Sequence, residues 1–191
     1  MLGDTLLRGE RVYLDAVDRE DMQVVGPWWR SLTLQQFVSP GIMRPMTMED
    51  ELGWFDSTRK NSDVILFAIR LVDGNEISGT TTLGGFDHRC RKCAFGIAIG
   101  NQTAWGKGYG SEATSLAVRY GFLELNLHRI QLAVYAYNER AIKAYTKVGF
   151  TVEGTLRDSM YRYGRYWDEY IMAILRHDWD NGEDAAKVLG A

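Results

Sequence analysis

Residues 105–111 read Trp105-Gly106-Lys107-Gly108-Tyr109-Gly110-Ser111, and the reading of this stretch decides the fold. Three glycines in five residues let the backbone turn tightly and come close to a ligand. The stretch sits between a strand expected over Ala94 to Ile99 and a helix expected over Ser111 to Leu125. That helix carries Ala113, Leu116, Ala117, Tyr120 and Leu123 at the spacing of an apolar stripe. The first N–H groups of such a helix have no intrahelical partner and carry the positive end of its dipole. A glycine turn feeding into them makes a site for a phosphate or pyrophosphate, to which Lys107 can add a point charge. Read alone, the same seven residues are also an ordinary turn. Two rivals fail on spacing. The phosphate loop GxxxxGK[ST] is absent, and the dinucleotide fingerprint GxGxxG is replaced by GxGxG after a strand that belongs to a meander.

Upstream of this stretch, Arg11 to Ala16 reads as a first strand. Asp18 to Ser31 is helical in part and interrupted by Gly26-Pro27. Thr47 is an N-cap residue with Asp50 three positions on and Glu49 between them, and Met48, Leu52 and Phe55 follow on one helical face. Val64 to Leu71 is a strand, Asp73-Gly74 a hairpin turn, and Glu76 to Leu83 returns antiparallel. Downstream, Arg129 to Tyr137 alternates, with Ile130, Leu132, Val134 and Ala136 on one face. Asn138 caps a short helix to Val148, and Gly149 stands where a left-handed C′ residue belongs. Phe150 to Gly154 and Tyr166 to Leu175 read as closing strands. A strand–helix–strand unit in one sheet implies a right-handed parallel crossover. The expected class is therefore α/β (α+β), with a mixed, mostly antiparallel central sheet. Its fourth and fifth strands are parallel, and helices flank both faces.

The chain has 191 residues, 46% of them hydrophobic, which suits one domain, expected over residues 7–180, and a loose tail over 181–191. Net charge is −3 without a long basic run, so no direct nucleic-acid partner is expected. No stretch of about 18 apolar residues occurs, so no membrane span is expected. Met1 to Glu10 has no apolar signal core, and a cytoplasmic place follows. Cys90 and Cys93, with His88, offer three metal ligands. A second ligand pair with zinc-site spacing is missing, so no metal is expected and the pair reads as two reduced thiols on a hairpin.

A second segment runs from Asn138 through Glu139, Arg140, Ala141 and Tyr145 to Lys147, Val148, Gly149 and Phe150. Tyr145 lies seven residues beyond Asn138, two turns and about 10 Å along the axis on nearly the same face. Its phenol can reach the groove beside the preceding strand or serve as a core aromatic. Together the two segments resemble the GNAT superfamily of N-acetyltransferases, within it the group typified by ribosomal-protein N-terminal acetyltransferases. The resemblance covers roughly Leu7 to Trp179. Gly108 and Gly110 match the family's coenzyme A pyrophosphate loop, while Trp105 stands at its Gln/Arg position. Asn138, Ala141, Tyr145, Lys147, Gly149 and Phe150 match its N-x-x-A-x-x-x-Y-x-K-x-G-F pattern. The run Gly164-Arg165-Tyr166-Trp167-Asp168 before the last strand is similar too.

The resemblance implies acetyl-CoA as cosubstrate and a GNAT fold, in which the strands Ala94 to Ile99 and Arg129 to Tyr137, the parallel fourth and fifth, would splay apart around the pantetheine arm. It implies cofactor contacts from Ile97, Ala98, Ile99, Trp105, Gly106, Lys107, Gly108, Tyr109, Gly110, Ser111 and Asn138. Backbone groups near Ile97 and Ile99 would pair with the pantetheine arm, and an N–H near Ile97 or Ala98 would stabilise the oxyanion. Tyr145 would be the catalytic residue, giving its proton to the departing thiolate or holding the sulfur. Asn138 reads equally as a plain N-cap. The strand from Phe95 to Ile99 carries no carboxylate, which favours an amine of low pKa, such as a protein N-terminal α-amine. Asp87 is a candidate base through water, and a turn-forming Asp on the more ordinary reading.

Small-molecule acceptors, such as a polyamine, an amino sugar or an antibiotic, form the alternative. A non-catalytic acetyl-CoA-binding module and an ordinary nucleotide-binding domain are the readings from other classes. Substrate recognition is expected from Pro27 to Phe55 and from Gly84 to Cys90. Trp28, Trp29, Phe37 and Trp54 can line a groove there, Glu49, Asp50 and Glu51 face solvent, and His128 is structural. A homodimer through an exposed β-edge or the C-terminal strands fits the pattern.

Overall fold

Consecutive residues of a strand point to opposite faces of its sheet, and here both faces are apolar. Phe67 and Ile69 belong to one buried cluster, while Ala68 between them belongs to another. A sheet with two apolar faces must lie between two layers. The computed structural model describes residues 6–38 and 45–179 and shows that arrangement.

Seven strands form one sheet: β1 (Val12–Ala16), β2 (Val64–Leu71), β3 (Ile77–Asp87), β4 (Lys92–Ala98), β5 (Arg129–Tyr135), β6 (Thr151–Arg162) and β7 (Arg165–Leu175). Their order is β1-β2-β3-β4-β5-β7-β6. Only the β4–β5 pair is parallel. The helices are α1 (Met22–Trp29), α2 (Leu32–Val38), α3 (Met48–Lys60), α4 (Tyr109–Leu123) and α5 (Glu139–Val148), with a 3-10 turn at Gln102–Ala104. The larger cluster joins Ile69, Leu83, Phe95, Ile130 and Leu132 of the sheet to Ala117, Val118 and Phe122 of α4 and Tyr145 of α5. The smaller one joins Ala68 and Ile77 to Met22 and Val25 of α1 and Phe55 of α3. Each large side chain buried in this way is worth roughly 1.5–3 kcal/mol.

Local chemistry sets the element ends. Thr47 and Asp50 form a capping box at the start of α3. Gly149 takes a left-handed φ of 110° and stops α5. The expected order of elements and the mixed sheet are both present. Four readings are corrected. First, α1 runs through Gly26 and Pro27 to Trp29, and α2 follows as a helix of its own. A proline here removes one N–H bond from a short helix whose stability comes from packing Met22 and Val25. Second, β3 extends to Asp87 and α4 starts at Tyr109. Third, β6 runs to Arg162, well beyond Gly154, because an exposed edge strand carries polar residues and has no apolar alternation to announce it. Fourth, Glu51 is buried at 2% exposure against Gly26 of α1, and Arg30 Nε stands 3.3 Å from its carboxylate. The expected tail over 181–191 lies outside the described residues. Among those residues no helix is long and apolar enough to cross a membrane.

Candidate active site

The site begins where two strands part. The parallel pairing of β4 with β5 covers Lys92 to Ala94 against Arg129 to Gln131 and then ceases. Beyond Ala94, β4 stays paired with β3 up to Ala98, while β5 stays paired with β7 up to Tyr135. A wedge opens between Phe95–Ala98 and Leu132–Tyr135. A cavity of about 320 Å³ fills it, bounded by Ile97, Ala98 and Ile99 on one side and Ala133 and Val134 on the other.

The glycine stretch closes one end. Gly106 and Gly108 have φ of 78° and 82°, a region that other residues enter at a cost. Gly108 is the N-cap of α4, so the free N–H groups of its first turn open on the cavity at Tyr109, Gly110 and Ser111. Arg11 fastens this turn. Its Nη1 donates to the Lys107 carbonyl at 2.9 Å, and its Nε donates to Glu112 Oε2 at 2.7 Å. The Arg11 N–H donates to Glu112 Oε1 at 2.8 Å. Burial alone would raise the Glu112 carboxyl, but hydrogen bonds from Arg11 and Val12 outweigh it and hold the group below its ordinary value. A Cβ on Gly108 would lie 2.8 Å from Arg11 Nη1, so the clamp itself requires glycine there.

Trp105 holds the other side of the turn. Its Nε1 donates to the Ile99 carbonyl at 2.7 Å, and Arg140 lies over its ring at 3.7 Å. Phe37 of α2 meets the Trp105 ring edge-on at 6.4 Å. These contacts bring α2, the glycine turn and the start of α5 together. Arg140 is partly withdrawn from water, and burial pushes its pKa down.

Tyr145 comes from the third turn of α5. It is 8% exposed, packs edge-on to Phe95 at 6.1 Å and lines the cavity. Burial pushes its hydroxyl well above the ordinary tyrosine value, so it stays protonated at neutral pH. Among the described residues that hydroxyl has no hydrogen-bond partner. Asn138 caps α5, its Oδ1 accepting from the Ala141 N–H at 3.3 Å, and it also lines the cavity, so both of its readings have a basis.

The structure thus brings together Tyr145 and every expected cofactor contact except Lys107, whose carbonyl serves the Arg11 clamp and which does not line the cavity. One expected contact changes: the Ile99 carbonyl already accepts the Trp105 indole, leaving Ile97 and Ala98 as the freer backbone edge. Asp87 also lies off the cavity. Its carboxylate accepts the Cys90 N–H at 2.9 Å, and this bond holds its pKa below the ordinary value, as a turn aspartate requires. Of the expected aromatic groove, Phe37 alone lines the cavity. Trp28 packs over Gly100, and Trp29 meets Trp54 at 6.0 Å. Cys93 is buried and its thiol is pushed up to about 12 by burial, while Cys90 is exposed. Sequence reasoning missed Arg140, Lys143 and Lys147, which line the cavity from α5, and Leu34 and Val38, which line it with Phe37 from α2. The spacing of 140, 143 and 147 is the available signal, since i, i+3 and i+7 share a helical face.

Comparison with known proteins follows this geometry. Residues 11–151 match the acetyltransferase (GNAT) domain family. An uncharacterized N-acetyltransferase of Bacillus licheniformis, p20, is 28% identical over 174 residues, 89% of this chain and 96% of that protein. The spermidine N(1)-acetyltransferase of Escherichia coli K12 is 38% identical over 104 residues, 54% of this chain and 55% of that protein. Among solved structures, the spermidine N-acetyltransferase of Vibrio cholerae, in complex with CoA and spermine, superposes with a TM-score of 0.79 at 23% identity. That match covers 87% of this chain and 96% of that one, and establishes likeness of fold.

Proposed function

The chain belongs to the GNAT family of acetyltransferases and is an N-acetyltransferase, and from that premise we propose that it transfers acetyl from acetyl-CoA directly to a primary amine within one domain over residues 7–180. The observation that carries this reading is the continuous cavity running from the glycine turn, through the parted strands, to the buried hydroxyl of Tyr145.

The residues present fit acetyl-CoA. Two left-handed glycines and the open first turn of α4 make a cradle for a pyrophosphate. Arg140, Lys143 and Lys147 add positive charge along the same wall. Beyond Ala94 the edge of β4 that faces β5, at Ile97 and Ala98, has no strand partner among the described residues and is open to an extended arm. When bound, acetyl-CoA supplies an activated thioester carbonyl with a thiolate as its leaving group. An N–H near Ile97 or Ala98, turned into the wedge, stabilises negative charge on an oxygen placed there. Tyr145, kept neutral by burial, holds a proton at the sulfur position as a hydrogen-bond donor. Asn138 Oδ1 is committed to the Ala141 N–H, which leaves its NH₂ for the ligand. Holding both reactants in one wedge supplies much of the rate.

For the acceptor, the absence of a carboxylate between Phe95 and Ile99 favours an α-amine, such as a protein N-terminus, which is neutral more often near pH 7 than a lysine-type amine. The ribosomal-protein group of the sequence resemblance is the finer form of that reading. A polyamine is the second reading, favoured by the spermidine-acetylating relatives. A cytoplasmic place and a homodimer through a sheet edge belong to the same proposal.

Calorimetric titration with acetyl-CoA, followed by free-thiol release over a panel of peptides and polyamines, tests it. Acetyl-CoA binding with turnover on one class supports the reading and selects the acceptor. Acetyl-CoA binding with no turnover on any amine leaves a binding module instead.

A further inference from the structure

The outer face of β5 carries a group that the transfer chemistry leaves unused. Ile130, Leu132 and Val134 point into the main core, so Gln131, Ala133 and Tyr135 point to the opposite face. Ala133 already lines the cavity. Tyr135 follows two residues on, about 7 Å further along the strand. Its partner across the antiparallel pairing with β7 is Glu169. Glu169 is half-buried, and its Oε2 accepts from Ser159 Oγ at 2.8 Å. Among the described residues, no lysine or arginine forms an ion pair with it. Aromatic rings flank it. Tyr135 stacks on Tyr137 at 5.4 Å and 17°, and Tyr137 meets Trp167, which precedes Glu169 by two on the same face of β7, at 5.2 Å. The Tyr135 hydroxyl is pushed up to about 12, first by burial and then by the charges of Glu169 and Tyr137, with Arg162 acting the other way. The carboxylate is therefore close to the Tyr135 hydroxyl, outside the cavity lining, and the link to the cavity runs through Tyr137, which meets the cavity-lining Phe37 at 6.0 Å.

Arg165 already covers the Trp167 ring at 3.5 Å, but a half-buried carboxylate that forms no ion pair, beside the Tyr135 and Tyr137 rings, attracts an ammonium group. The carboxylate supplies a charge-assisted hydrogen bond and the rings supply their quadrupoles. Anionic acceptors are repelled by the same group. We propose that Glu169, framed by Tyr135 and Tyr137, is the acceptor subsite: its carboxylate receives a protonated nitrogen of the amine, making it a specificity-determining residue. This rests on the acetyltransferase reading above. The subsite serves docking and involves no covalent step.

The test uses the full chain with spermidine and with an alanine-initiated peptide as probes. Glu169→Gln keeps the shape and the Ser159 contact and removes the charge. The KM for the amine used by the wild type is expected to rise about tenfold or more, the scale of a lost charge-assisted hydrogen bond. The expected change in kcat is much smaller, and the calorimetric Kd for acetyl-CoA stays unchanged. Glu169→Asp restores part of the loss. An unchanged amine KM in Glu169→Gln overturns the proposal, and so does a matching loss of acetyl-CoA affinity, which marks a structural role. Where the wild type binds acetyl-CoA and turns over neither probe, each amine is titrated directly: equal affinity for wild type and Glu169→Gln overturns the subsite. Failure of the wild type to bind acetyl-CoA is a separate result that sinks the donor reading.

Discussion

The lining of the cavity and the neighbouring surface proposed for the amine are built in different ways. The donor wall comes from short continuous segments: Trp105 to Ser111 turning into α4, and Asn138 to Lys147 along α5. Its geometry follows from local rules, namely positive-φ glycines, a helix N-terminus and one helical face. The proposed acceptor wall is assembled from distant pieces, of which Phe37 reaches the cavity itself. Phe37 of α2 is held between Trp105 and Tyr137. Gln36 beside it accepts hydrogen bonds from Tyr137 and, at 2.6 Å, from Tyr163 at the tip of the β6–β7 hairpin. Tyr135 and Glu169 meet only through strand pairing. One wall is therefore specified by motif and the other by register, so a change in the first should disturb the donor and a change in the second the amine.

The largest effect that would break this division is expected at Tyr145, where both reactants meet. Tyr145→Phe should lower kcat by about 100-fold or more while leaving acetyl-CoA affinity near wild type, read by free-thiol release and calorimetry. A fall in affinity of similar size would make Tyr145 a packing residue. Next comes Gly108→Ala, which places a Cβ at a φ of +82° and against the Arg11 clamp. Strain of about 1–2 kcal/mol, with the clamp displaced, predicts roughly a tenfold weaker Kd for acetyl-CoA by calorimetry. The thermal midpoint should show whether the loss is confined to the turn. On the acceptor wall, Tyr163→Phe removes one tie on α2 worth about 0.5–1.5 kcal/mol, and the amine KM should rise about threefold in steady-state assays. An equal change in acetyl-CoA affinity would show that the walls are not separable.

The smallest effect concerns pH. The Tyr135 pKa is raised on folding from about 10 to about 12, so its neutral form favours the folded state. That contribution is complete below about pH 10 and is lost as pH rises towards 12. Melting temperatures measured at pH 9 and pH 11 should fall more steeply for wild type than for Tyr135→Phe. Parallel slopes would remove Tyr135 from the alkaline transition.

Much of the fold was legible because apolar periodicity and caps are local. The meander, the α4 stripe and the Asn138 cap with its Gly149 stop all stand where the pattern puts them. The errors cluster where tertiary packing overrides local preference. Packing of α1 carries a helix through Pro27, and an edge position lets β6 extend through Arg157 and Asp158 without apolar alternation. Glu51 reads as a solvated first-turn acid, yet α1 buries it beside Arg30. Asp87, a candidate base whose more ordinary reading is a turn aspartate, is spent on its own turn.

By itself the sequence determined two short segments, the glycine turn with its helix start and the tyrosine two turns past a cap, since each is written within a few residues. Only the tertiary structure decided that β4 and β5 separate beyond Ala94, that Arg11 clamps the turn from 96 residues away, and that Glu169 stands opposite Tyr135. Those pairings arise when seven strands settle into one register around two apolar cores. The free energy that selects the register is the sum of many buried contacts, and no short run of residues contains it.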